Sequence, residues 1–367
     1  MVEPAPPGTL SRAREELFAV PSGGEHIIPS NLEGTSIGLE GLVLVPRSYA
    51  GGPARRILAI PDGNRAALLP EMRLELWGRA FILGVKGMGA RSPMYDAGMA
   101  EAGEPRFHSE MWFGEAPWGA MSRQSCVEDR ELTEMSGPGG IHGFHICPML
   151  RASSLPPEVM ASARRSFWYR RFGGDGPYFQ EFRLLPSAVR LFYQSESTLG
   201  LEAAAVLDGF GAAAPEALDA FIENYLRSGL AALTLVPRTL KGGRALEYQD
   251  VWLDKDSVIA PDGTIFFADI EGLAWAPFPD ADAVAAGTRR QYERNFYEFM
   301  YGLDRLLAER ERRSGRASGL RARRMELAAR VELALEGDPY ARAERAGGSV
   351  DIVSGGASLR FLDLEGA

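Results

Sequence analysis

Acidic residues crowd one short segment of this chain. Asp254 and Asp256 precede the apolar pair Val258-Ile259, Asp269 follows the run Thr264 to Phe267, and Pro261-Asp262-Gly263 lies between them. Pro-Asp-Gly is a strong turn signal, so the segment predicts a hairpin whose open ends carry the carboxylates. Carboxylates brought together repel one another unless a cation lies between them. Hard divalent ions take oxygen ligands, commonly one or two carboxylates together with nucleotide phosphates. A surface hairpin with solvated acids would show the same local pattern.

Three further groups could act on phosphate. Phe81-Ile-Leu-Gly-Val-Lys86-Gly87-Met-Gly89 ends an apolar run in a lysine followed by glycines. Such a lysine can aim its ammonium at phosphates while the glycine backbone approaches closely, although a strand-end lysine before a turn looks alike. Glu128, Glu131 and Glu134 follow Arg123 on a stretch with helical character. A helix glutamate that holds a strand lysine is one part of a kinase phosphate site. Arg183 and Arg190 flank an apolar strand interrupted by Pro186. Guanidinium forks suit phosphate oxygens, and two exposed arginines would read the same way.

The elements that must position these residues change along the chain. Residues 1–40 are rich in Pro, Gly and Ser and read as a loosely ordered lead-in. Leu42-Val-Leu-Val, Ile57-Leu-Ala-Ile and Phe81 to Val85 are short apolar runs bounded by Pro or Gly, as strands of an antiparallel sheet would be. A loop or insertion is expected near 92–119, a helix from Ser122 to Met135, and further strands over Ile141 to Met149 and Phe179 to Tyr193. Helical periodicity then dominates over Ala203 to Phe210, Pro215 to Gly229, Ala283 to Arg313 and Leu320 to Leu335. Ser349 to Leu364 alternates like a strand or hairpin. The basic stretch from Arg305 to Arg324 reads as a charged helix face before it reads as a binding patch. His142 and His145 read as strand residues on one side, with no third ligand.

Several of these segments, in shared order from about residue 48 to residue 272, resemble the selenoprotein O family, a kinase-like group that transfers AMP to protein hydroxyls. Asp62-Gly63-Asn-Arg65-Ala-Ala-Leu-Leu-Pro-Glu71 resembles its Gly-Asp-Gly-Arg-Ala segment with one residue inserted. Lys86 to Pro93 is similar to its Lys-Gly-x-Gly-x-Thr-Pro segment, again with one insertion. Arg123-Gln-Ser-Cys-Val-Glu128 resembles its Arg-Ser-Ser-Ile-Arg-Glu helix, and Arg183 to Arg190 keeps the spacing of its Arg-x-x-Pro-Ser-x-x-Arg strand.

The resemblance implies an α+β, two-lobed protein-kinase-like fold with a sheet-rich N-lobe over 41–195 and a helix-rich C-lobe over 196–335. The C-lobe would carry the catalytic hairpin 250–272, and 336–367 would be a C-terminal extension. It implies ATP and Mg2+ or Mn2+ as cofactors, and AMP transfer onto an unidentified hydroxyl acceptor, on protein in that family. Lys86 and Gly87 would meet the phosphates with Glu128 anchoring the lysine, and Gly63 and Arg65 would lie along the nucleotide. Arg183 and Arg190 would hold the terminal phosphates of an inverted ATP. Asp256 falls where the family has its base, and Asp269 where it has a metal ligand. The pattern departs around the base: Ser257 stands where the family has a metal-binding Asn, so Asp250, Asp254 and Asp256 all remain candidates. Phosphoryl transfer, a nucleotide-binding pseudokinase scaffold and adenylate-forming ligation fit the same scaffold.

Bulk properties bound these readings. The chain has 367 residues, 46% hydrophobic and 24% charged, as expected of a globular protein with two lobes. A net charge of −9 argues against general nucleic-acid binding. Two cysteines, Cys126 and Cys147, provide neither a disulfide framework nor a zinc cluster, and the four histidines lack metal-ligand spacing. With no apolar run of membrane length and no secretory signal in view, a cytoplasmic protein is expected, without membrane or nucleic-acid partners.

Overall fold

The computed structural model describes residues 15–47, 50, 52–62, 66–87, 112–113, 116–117, 120–163, 177–191, 198–240, 244–248, 253–268, 273–315 and 318–365. In chain order it begins with β1 (Glu15–Pro21), β2 (His26–Ile27), β3 (Leu42–Pro46), β4 (Arg55–Asp62), β5 (Ala66–Leu76) and β6 (Arg79–Lys86). There follow β7 (Trp112–Phe113), β8 (Ala116–Pro117), α1 (Arg123–Met135), β9 (His145–Ile146), β10 (Met149–Ser154), α2 (Pro157–Ala163) and β11 (Phe179–Leu185). Next come α3 (Leu199–Gly209), α4 (Pro215–Leu233), α5 (Leu235–Arg238), β12 (Arg244–Tyr248) and α6 (Leu253–Asp256). The chain continues through β13 (Ser257–Ile259), β14 (Ile265–Phe267), β15 (Leu273–Pro277), α7 (Ala281–Ser314) and α8 (Leu320–Ala334). It closes with β16 (Ala341–Ala346), β17 (Ser349–Ser354) and β18 (Ala357–Asp363). The architecture is mixed α+β, with a sheet-rich first part and a helical second part.

Two compact units divide the chain, and the boundary crosses back and forth. The first comprises Met1–Met135, Cys147–Pro186 and Gln194–Glu196. Its eight-stranded sheet runs β2-β10-β11-β6-β5-β4-β1-β3, antiparallel at every pairing. β10 and β11 are buried at every position. β5 and β6 are joined through Trp77 and Gly78, both at positive φ, the two-residue turn whose twist matches that of paired strands. α1 lies on this sheet through Cys126, Asp129, Leu132 and Thr133, residues three or four apart on one helical face. Its last turn is fixed by polar bonds: the Thr133 hydroxyl accepts from Met149 N–H at 3.0 Å, and its carbonyl accepts from the Asn31 amide at 3.0 Å.

The second unit comprises Ser136–Ile146, Ser187–Tyr193 and Ser197–Ala367. Its core is the crossing of α4 and α7, where each helix offers a glycine to an aromatic ring of the other. Gly229 lies under Phe299, Gly302 lies under Tyr225, and the two rings stack with centroids 5.4 Å apart. α7 starts at Asp280, whose carboxylate accepts from Ala283 N–H at 2.8 Å, and stops at Gly315 in the left-handed conformation. β13 and β14 form the expected hairpin, with β9 parallel to β14 on the other side. Gly263 in its turn has φ +92°, and its backbone packs against the Phe221 carbonyl where a side chain would not fit.

Three expectations change here. The described part of the lead-in carries a strand: β1 pairs with β3 and β4 inside the sheet. A single short apolar patch between Pro- and Gly-rich stretches concealed this strand. The C-terminal residues form β16–β18 within the second unit rather than an extension beyond it. Residues 136–146 and 187–193 also belong to the second unit, so the single boundary at 195 is replaced by several crossings. The insertion near 92–119 falls outside the described residues, apart from the short β7–β8 pair.

Candidate functional site

Lys86 ends β6 and is 7% exposed. Directly opposite it on β11 is Glu181, and two residues on is Arg183, so the period of two places all three on one face of the sheet. α1 covers β11 and contributes Asp129. The Arg183 guanidinium donates to both Glu181 oxygens, through Nε to Oε1 and through Nη2 to Oε2 at 3.0 Å, and also through Nη2 to Asp129 Oδ2. Arg183, Asp129 and Glu181 are all more than nine-tenths buried. A charged cluster is thus built into the first unit, two cations against two carboxyl groups.

Burial pushes the Asp129 carboxyl well above the usual carboxylate range; Arg183 and Lys86 pull the other way, while Glu181 adds to the rise. The buried Cys126 thiol, one turn earlier on α1, is likewise pushed up by burial and by the Glu181 and Asp129 charges. Asp129 Oδ1 is buried and has no hydrogen-bond partner among the described residues.

The carboxyl group that α1 turns into this cluster is therefore Asp129 and not Glu128. Glu128 is half-buried and accepts from the Gln124 side chain at 2.6 Å along its own helix. One residue along a helix is a turn of about 100°, which separates the two carboxyls onto different faces. Gly87 follows Lys86 with φ +86°, and its Cα approaches β11 so closely that an added Cβ would lie 2.8 Å from the Phe179 carbonyl oxygen. Gly63, Arg65, Asp250 and Asp269 lie outside the described residues.

Asp256 and Arg190 are found in the second unit. Asp256 closes α6 and enters β13; it is 4% exposed, and its carbonyl accepts from Ala268 N–H at 2.7 Å. The open ends of the hairpin therefore meet, as its turn required. Arg190 bridges Val258 and Thr198 through its backbone, and the Val189 carbonyl accepts from Ile259 N–H at 2.8 Å, so the residue runs beside β13. Asn295 on α7 accepts the Leu253 N–H at 2.8 Å and fixes the turn that carries Asp256. The Ser257 hydroxyl donates to the Leu253 carbonyl, so it is engaged within that turn. Arg183 and Arg190 are split between the two units.

Among the described residues no three His, Cys, Asp or Glu side chains are grouped to hold a metal ion. Magnesium bound through substrate phosphates asks for only one or two carboxylates. His142 sits in a turn at φ +53° with its ring against Tyr340, and the His145 ring lies against Phe266. The basic stretch is paired within its own unit: Arg310 with Glu326, Arg313 with Glu309 and Asp208, and Arg323 with Glu311. No described helix is long and apolar enough to cross a membrane. The chain matches no protein-family model, and comparison with curated proteins gives no match.

Asp129, Glu181 and Asn295 do not stand out in the sequence. The signal for Glu181 was present in Phe179-Gln-Glu-Phe-Arg-Leu-Leu, where two charges two residues apart interrupt an otherwise apolar strand. Charges at that spacing share one face, and on a buried strand they must find partners.

Proposed function

We propose that this protein is an ATP-dependent transferase of kinase-like fold that moves AMP from ATP onto a hydroxyl acceptor. The observation that carries the reading is Lys86 at the buried end of a sheet strand, in a charge cluster completed by Arg183 and by a carboxyl group from the covering helix. Phosphate sites of kinases combine a strand lysine with a helix carboxylate in this way. The resemblance of ordered segments to the selenoprotein O family supplies the choice of AMP transfer.

In this reading Lys86 and Gly87 receive phosphates; the family resemblance alone assigns Asp256 the acceptor proton as the acceptor oxygen attacks the α-phosphorus. The bond to pyrophosphate breaks, and pyrophosphate leaves with the electron pair. Cations fixed before the reaction stabilise the charge that moves onto the leaving group without reorganising. Asp269, with Asp254 or Asp256, would hold a magnesium or manganese ion, which would neutralise phosphate charge. Gly63 and Arg65 are assigned to the nucleotide, and Arg190 to its terminal phosphates.

Phosphoryl transfer is the second reading, and one observation favours it. An inverted ATP needs Arg183 at its terminal phosphates, whereas this guanidinium is held by Glu181 and Asp129. The test is incubation with magnesium or manganese and ATP labelled at the α or the γ phosphate. Label retained from the α position supports AMP transfer, and label from γ alone establishes phosphoryl transfer instead. No transfer from either position to protein or to small hydroxyl acceptors would overturn the transferase reading and leave a nucleotide-binding scaffold.

A further inference from the structure

The charge cluster of the first unit poses its own problem. Two carboxyl groups, both buried, bind one guanidinium. Glu181 takes the forked pair of contacts and also faces Lys86 across the strands. Asp129 has one oxygen on Arg183, and its other oxygen, Oδ1, has no partner among the described residues. A buried carboxylate oxygen without a donor is costly. A proton on the Asp129–Glu181 pair removes that cost, because like charges held close cannot both stay ionised cheaply.

Among the described residues, the charges acting on Asp129 are those of Arg183, Lys86 and Glu181. Glu128 and Arg130 flank Asp129 on its own helix, and Cys126, a buried thiol one turn earlier, interacts with it electrostatically. β6 contributes Lys86, and β11 contributes Glu181 and Arg183. β10 and β2, which also pack on α1, present Met149, Ala152 and Ile27 to it. Their charged or titratable residues are engaged elsewhere: Arg151 donates to the Leu42 carbonyl and stacks on Phe182, and His26 bonds the Ser153 hydroxyl.

We propose that Asp129 is a positioning residue of the nucleotide site and acts as a neutral acid, sharing one proton with Glu181 while it holds Arg183. Lys86 and Arg183 then face one shared negative charge, and the cluster keeps a net positive charge suited to a phosphate-bearing ligand. The elevated Asp129 carboxyl agrees with this state. The ligand half of the inference rests on the nucleotide reading; the proton half does not.

The test compares Asp129→Asn with Asp129→Ala in the full chain. An amide can donate to Glu181 and accept from Arg183, as a neutral acid does. Titration with magnesium-ATP should find Asp129→Asn within about threefold of wild type and Asp129→Ala at least about tenfold weaker. Melting temperatures from about pH 5 to about pH 8 supply a readout that packing alone would not move. A carboxyl raised in the folded state contributes stability that is lost as pH rises, so wild type should lose stability relative to Asp129→Asn across that range.

Equal loss of ATP affinity in both variants would show that the charge is needed and would overturn the proposal. ATP binding unchanged in Asp129→Ala would overturn the positioning role. A wild-type melting profile parallel to that of Asp129→Asn would overturn the shared proton. Should the wild type bind no ATP, the nucleotide reading fails and takes the positioning role with it, while the melting profiles still decide the proton.

Discussion

At the scale of residues, the site depends on which face a side chain occupies. The sequence makes a carboxylate on the helix after Arg123 easy to anticipate, and the chain has Glu128 and Asp129 side by side. Only the rotation of α1 on its sheet, set by Cys126, Leu132 and Thr133, decides that Asp129 points inward. Lys86 stands out in the sequence as a lysine that ends an apolar run before glycines, a pattern shared by any strand-end lysine before a turn; the structure adds that it is buried opposite Glu181. Gly87 is also where the backbone is least replaceable. At φ +86° and with the Phe179 carbonyl so near, Gly87→Ala should cost about 1–3 kcal/mol, read as a lower melting temperature. Wild-type stability in that variant would show that β6 and β11 can separate at this point.

At the scale of elements, local patterns carried most of the outcome. The hairpin at 257–267 follows from Pro-Asp-Gly between two apolar runs, and the long helices follow from their periodicity. β1 escaped because strand pairing with β3 and β4 is decided by distant partners rather than by its own residues. Helix packing was equally hidden, since nothing in either sequence segment says that Gly229 and Gly302 face rings. Gly229→Ala would drive a methyl group into Phe299, and Gly302→Ala one into the Tyr225 hydroxyl. Each should destabilise the second unit by about 1–3 kcal/mol through overpacking, measured by denaturant unfolding. Gly315→Ala, with open space around it and φ +64°, should cost less than either, about 1 kcal/mol. The reverse order would contradict the packing described for α4 and α7.

At the scale of the whole molecule, charge is handled in two opposite ways. The arginines of α7 and α8 pair with acids on the surface of the second unit, and Arg310 with Arg330 holds the Glu326 carboxyl down at about 2. A carboxyl depressed in the folded state contributes stability present above its ordinary value and lost as pH falls toward about 2. Glu326→Gln should therefore differ from wild type near neutral pH and converge with it in acid. The difference should stay within about 1 kcal/mol, because the pair is solvent-screened and weakens in salt. Asp129 has the opposite sign, so the two variants should diverge from wild type in opposite directions along one pH series. The sequence showed the arginine-rich stretch but not its partners, because Asp219 and Asp208 come from helices about a hundred residues away.

The proposed ATP site depends on Lys86. Magnesium-ATP titrated by calorimetry into wild type and Lys86→Met, with melting curves to show that both are folded, tests it most directly. Binding at one site is expected in the wild type and at least about tenfold weaker binding in the variant, which loses the buried cation assigned to phosphate. Equal affinity in the two proteins, or no binding by a folded wild type, would contradict it.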